Sequence, residues 1–252
     1  MAITLDSMTN IATLNQGSGT AAYAGVSRLA DALTQASKRV EQKLDATKVQ
    51  LSAYGQINSG FANVQSAGKA LSDPKNTGTA TDVEKAVQAF AAAFNNAAKA
   101  VSTAVNGTGK ESGVLTDDAH ARFAANDLRS IVTGGNNASD LRKIGISVNK
   151  DGTLSVNAKA LQSALQANPN AVKDTLAKVG QQAEQVSAKD MAKNGNIGGA
   201  VNALSSRAKN LETQSAEQQR LISASQATVQ QQSAKLGNAS SSIAAYMQMF
   251  AL

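Results

Sequence analysis

From Val26 onward the apolar residues recur every three or four positions: Val26, Leu29, Leu33, Ala36, Val40, Leu44, Thr47, Leu51, Tyr54, Ile57, Phe61, Val64, Gly68 and Leu71. Only Thr47 and Gly68 interrupt the series. A stripe of that length exceeds an ordinary globular helix and predicts a coiled-coil seam of roughly 70 Å, at about 1.5 Å per residue. The steps 36–40–44 and 51–54–57 depart from strict alternation, so a supercoil should relax there. A second stripe starts at Val201 and runs through Leu204, Ala208, Leu211, Ser215, Gln218, Ile222, Ser225, Val229, Gln232, Leu236, Ala239, Ile243, Tyr246 and Phe250. Its four polar positions weaken the seam and help to fix its register.

Between the stripes the pattern changes several times. Ser72 to Thr81 contains Pro74 and Gly78 and breaks the first helix. Thr81 and Glu84 predict a capping box for a second helix, with Val83, Val87, Phe90, Phe94, Ala98, Val101 and Val105 on one face. After a Gly-rich loop, Asn106–Gly113, a shorter helix over about 117–132 should bury Phe123, Leu128 and Ile131. The Gly/Asn-rich stretch 133–140 reads as a loop. The period then becomes two. Ile144, Ile146 and Val148 alternate, Asn149-Lys150-Asp151-Gly152 turns, and Leu154 and Val156 alternate, which predicts a β-hairpin. Its apolar side should meet the helices of residues 83–105 and 170–186. Leu161 and Leu165 mark a short helix. Asn168 and Pro169 make an N-cap and first-turn pair for the next helix, with Val172, Leu176 and Val179 buried. Gly195, Gly198 and Gly199 precede the final stripe.

The predicted fold is therefore mainly α with a small β-hairpin. Residues 26–71 and 200–252 form long terminal coiled-coil helices that pair antiparallel. Residues 82–193 form a small α+β inner domain with its hairpin at 144–156. Residues 1–25, with Asp6 as the single charge before Arg28, read as a flexible polar leader. The stripes are too long for so small an inner domain to cover, and exposed apolar stripes mark partner surfaces. The candidate assembly interface is Leu29, Leu33 and Val40 on the first helix with Leu236, Ile243, Tyr246 and Phe250 on the last.

Composition narrows the chemistry. Of 252 residues none is Cys and one is His, which removes disulfides, thiol nucleophiles, zinc ribbons and His-rich metal sites. An enzyme is not expected, nor a cofactor or bound metal. The net charge is +6, but no basic cluster is denser than Lys38-Arg39 or Arg142-Lys143. That reads as a solvated, mildly basic surface, with no nucleic-acid partner. No apolar run is long enough to span a membrane, so membrane insertion is not expected. Gly107-Thr108-Gly109-Lys110 superficially suggests a phosphate loop, but Ala104 and Glu111 stand where that motif needs Gly and Ser/Thr. Asn149–Gly152 lacks the alternating ligands and closing Glu of a calcium loop. Asp117, Asp118 and His120 read as an acidic helix start.

One set of motifs belongs together. Phe94-Asn95 ends a helix face, and Gly113-Val114-Leu115-Thr116-Asp117 follows. Next come Leu141 to Ile146 in a Leu-x-x-Ile-Gly-Ile unit and the turn Asp151-Gly152-Thr153-Leu154. Leu161 to Leu165 and Asn168 to Val172 complete the series. Their order and spacing over residues 90–180 resemble the C-terminal half of bacterial flagellar filament cap proteins, the hook-associated protein 2 family. Members of that family usually carry large β-rich domains between the first helix and the Phe/Tyr-Asn helix. Here only Ser72–Thr81 fills that place, so the chain looks like a short form. The resemblance implies a secreted structural protein of the flagellum, passing unfolded through type III export and located at the filament tip. It would be a cap-like subunit that oligomerises and assists subunit assembly. The implied partners are further copies of itself, flagellin or other axial proteins, and an export chaperone. The alternatives are a short flagellin-like or hook–filament junction subunit and, more distantly, a basic coiled-coil nucleic-acid-binding protein.

Overall fold

The computed structural model describes the backbone of residues 19–109 and 111–249, and the side chains of residues 28–109, 111–231, 233 and 234. Among the described residues the chain forms seven helices and one two-stranded antiparallel sheet. In order these are α1 (Gly19–Ser72), α2 (Ala80–Asn106), α3 (Ala119–Thr133), α4 (Asn137–Lys143), β1 (Ile146–Val148), β2 (Leu154–Val156), α5 (Ala158–Ala167), α6 (Pro169–Met191) and α7 (Asn196–Met249). The fold is mainly helical with a small hairpin. The leader expected over residues 1–25 lies, up to residue 18, outside the described residues.

Local chemistry explains most of the boundaries. Thr79 is extended, at φ −109° and ψ 163°, and caps α2. Its hydroxyl accepts from the Asp82 backbone N–H at 3.2 Å, and its own N–H donates to Asp82 Oδ2 at 3.2 Å. The capping box thus sits two residues before the expected Thr81–Glu84 pair, on Thr79 and Asp82, which have the same three-residue spacing. Asp118, Asn157 and Asn168 cap α3, α5 and α6 with their side-chain oxygens, and Pro169 opens α6. Residues 137–140, expected as loop, wind together with 141–143 into α4, and Ile144 caps that helix rather than joining the hairpin. In the hairpin Ile146 pairs with Val156 and Val148 with Leu154. Gly152 takes the turn at φ 83°, a conformation that costs glycine little.

The chain divides into two compact units, a body of residues 46–207 and a unit that among the described residues is helical over 19–45 and 208–249. The body therefore includes the second part of α1 and the first turns of α7, beyond the inner domain expected at 82–193. The cause is packing. Tyr54, Ile57, Phe61 and Val64 are 0% exposed and share one core with Val83, Phe90 and Phe94 of α2, Leu128 and Ile131 of α3, and Leu176 and Val179 of α6. The hairpin packs on this core mainly through β2 against α2, as expected, and through β1 against α4.

Two details shape the body. At Gly68 on α1 an added Cβ would stand 2.7 Å from Ala183 Cβ and 2.8 Å from the Gly180 carbonyl oxygen of α6. These helices cross backbone to backbone, and only glycine fits. On α3 the buried face is Ala121, Ala124, Leu128, Ile131 and Val132. Phe123, expected in the core, is instead 57% exposed. It stands five residues before Leu128, about 140° round the helix, whereas Ala124 lies on the same ridge.

In the helical unit α1 buries Leu33 and Ser37, and α7 buries Ala208, Leu211, Ser215, Leu221 and Ser225. Leu221 takes the inward place expected of Ile222, which is half-buried.

Candidate assembly interface

The body motifs meet one another in space. Asn95 of α2 grips β2: the Leu154 N–H donates to Asn95 Oδ1 at 2.6 Å, and Asn95 Nδ2 donates to the Leu154 carbonyl at 2.9 Å. The side-chain amide acts as a third strand one residue long, so Phe94-Asn95 and the Asp-Gly-x-Leu turn work as one joint. Asp151 steadies that turn by accepting from the Thr153 N–H and hydroxyl at 2.9 Å and 2.6 Å. Those bonds, the hydroxyl foremost, hold its carboxyl below the usual range. Leu115 is buried, and its N–H donates to the Ala104 carbonyl at 2.8 Å. Gly113 is required beside it, since a Cβ would run into that same carbonyl. Leu141, Ile144 and Ile146 are buried around Gly145, which adopts φ 84° against α5. Sequence reading singled out these motifs but missed the Asn95 bond pair, for which no local signal exists.

The three candidates for site chemistry have structural roles. Asp118 accepts from the backbone N–H groups of His120 and Ala121, and from Tyr54 Oη at 2.7 Å. It ties α1 to the start of α3. Burial, with Asp118 adding to it, drives the Tyr54 phenol far above its ordinary pKa, so it acts only as a donor. His120 and Asp117 are exposed. Around Gly107 the backbone folds onto Glu111, and Thr108 bridges Glu111, so the loop makes its own contacts. No cluster of metal-ligating side chains occurs among the described residues. No described helix is long and apolar enough to cross a membrane.

The expected interface residues fall in the helical unit. Leu29 and Val40 are half-buried, and Leu33 is 3% exposed. A partner reaches Leu33 only if its surroundings open. Leu236, Ile243 and Tyr246 stand on the backbone of α7, while their side chains, and Phe250 altogether, lie outside the described residues. Two polar atoms of the α7 seam, Gln218 Oε1 and Ser225 Oγ, are buried without a hydrogen-bond partner.

Residues 63–245 match the family model for the flagellar hook-associated protein 2 C-terminus. That span contains every body motif described above. No curated protein matches the chain.

Proposed function

The chain belongs to the flagellar hook-associated protein 2 family, and from that membership we propose that it is a secreted, cap-like subunit that oligomerises at the filament tip. It helps incoming axial subunits seat there and breaks no bonds. The observation that carries this reading is the family match over residues 63–245, which takes in the body from residue 63 onward and most of α7. The half-buried stripe of Leu29 and Val40 supports it, because such a surface has apolar area left for a partner. The partners are further copies of the chain and flagellin or another axial protein, with an export chaperone before secretion. We place filament docking on Leu29, Leu33 and Val40 with Leu236, Ile243, Tyr246 and Phe250, and contacts between copies on the body.

Electron microscopy of the purified full chain, alone and mixed with uncapped filaments, tests this. Closed rings and density at one filament end are the expected outcome. Identical subunits in a ring need head-to-tail contacts, and contacts that fail to close give open filaments instead. Open filaments would favour the short filament or junction subunit. A double substitution, Ile243→Asp with Tyr246→Asp, should lower tip decoration by about tenfold or more, the effect of losing about 1.4 kcal/mol of binding. Unchanged decoration would remove the docking assignment.

A further inference from the structure

The body contains one polar cluster that neither the motifs nor the proposed assembly uses. Asp190 stands in the last turn of α6, Asp127 in α3, and Asn196 opens α7. Asp190 is fully buried. Its Oδ1 accepts from Asn196 Nδ2 at 2.9 Å. The same Nδ2 reaches Asp127 Oδ2 at 3.2 Å, where Lys189 Nζ also donates at 3.2 Å. The second oxygen of Asp190, Oδ2, is buried and has no partner.

An ionised carboxylate in that position is costly twice over. It is taken out of water with one oxygen unpaired, and it faces a second negative charge. Lys189 relieves little of this, because its side chain is 69% exposed and it pairs with Asp127. A proton on Asp190 Oδ2 removes both costs, since it neutralises the group and turns the orphaned acceptor into a donor towards Asp127.

The surrounding backbone shows what the cluster holds. The Gly195 N–H donates to the Ala192 carbonyl at 2.8 Å, and the Gly199 N–H to the Gly195 carbonyl at 2.9 Å. A Cβ at Gly195 would run into the Lys189 carbonyl, and one at Gly198 into that of Ala192. The turn is wound tightly onto the end of α6, and Asn196 after it donates both to Asp190 before it and to Asp127 of α3.

We infer that Asp190 keeps a proton beside the Asp127 carboxylate, and that this proton latches the α6–α7 turn onto α3, so that the latch is firm in acid and loosens as the medium becomes alkaline. Burial first, and the Asp127 charge second, push the Asp190 carboxyl up to about 6, against the pull of Asn196 and Lys189. α3 also carries Arg122 and Arg129, α6 Glu184 and the turn Lys193, but the charges that act on Asp190 are Asp127 and Lys189. α1, which packs on α6 at Gly68, carries none between Lys48 and Lys69, and α7 none before Arg207. The closed latch binds its proton more tightly than the open one. Acid therefore favours closure, and closure weakens as pH rises through the native value.

Hydrogen exchange of the full chain at about pH 5 and about pH 7.5, corrected for intrinsic rates, should show protection over residues 189–199 falling by roughly tenfold. Protection inside α2 should stay level. Asp190→Asn should abolish the step. Carboxyl NMR of the unsubstituted chain should place the Asp190 midpoint near 6. Equal protection at both pH values overturns the latch, as does a step that survives in Asp190→Asn. If that variant does not fold, the wild-type titration decides: a midpoint below about 4.5, close to an ordinary carboxyl, overturns the proton on Asp190.

Discussion

Along α1 one spacing of apolar residues leads to two depths of burial. In the body Tyr54, Ile57, Phe61 and Val64 lose all their exposure. In the helical unit Leu33 and Ser37 close, while Leu29, Ala36, Val40 and Leu44 keep part of their surface. The body surrounds its stripe with α2, α3 and α6. The helical unit comprises only segments of α1 and α7 among the described residues. Two helices cover one side of each other and leave the flanks open. The α7 seam also buries hydroxyls where the body buries rings and branched chains, since Ser215 and Ser225 stand in inward positions. A stripe thus says which face turns inward, and the number of neighbours says how far.

The largest test of that contrast is truncation on each side of it. Phe61→Ala should cost the body about 3–5 kcal/mol, read from urea titration by circular dichroism. Leu33→Ala should leave the body transition within about 0.5 kcal/mol, since separate sites rarely couple. A body transition that follows Leu33 would merge the two units energetically.

A smaller effect sharpens the role of neighbours. Gly180→Ala should cost about 1–3 kcal/mol, because its Cβ would strike the Gly68 carbonyl where the helices cross. Gly55→Ala in the same body meets nothing within 4 Å and should gain about 0.5–1 kcal/mol, the ordinary advantage of alanine in a helix. Equal signs in thermal denaturation would mean that crossing contacts do not set the outcome.

The smallest effect concerns the polar seam. Ser225→Ala removes a buried hydroxyl that has no partner and should raise protection along α7 by up to about 1 kcal/mol in hydrogen exchange. A loss would show that the hydroxyl carries part of the pairing.

The features legible in the sequence arise within a few residues. The spacing of Val26 to Leu71 is enough for a long helix, and the alternation around Asn149–Gly152 for a hairpin. Asn168 with Pro169 is enough for a helix start. Each depends on a period or a local hydrogen bond, and such forces act wherever the segment lies. Local rules failed where two options lay side by side. Thr79 and Thr81 both resemble caps, each with an acid three residues on, and the helix starts from the first of them. Phe123 and Ala124 both offer apolar surface, and only the direction of the neighbouring ridge chose the smaller.

The rest required the tertiary structure, because the partners lie far apart in the chain. Asn95 meets Leu154 only after α2 and the hairpin have docked. Gly68 and Gly180 are ordinary helix residues until two backbones touch. Asp127 and Asp190 look like solvated acids in the sequence, yet the meeting of α3, α6 and α7 buries one beside the other. Burial and charge proximity are properties of the assembled body, and they decide which polar residues carry consequences. The sequence by itself determined the long helices, the turn and most of the inward faces; the tertiary structure decided the depth of burial and the pairing of distant polar groups.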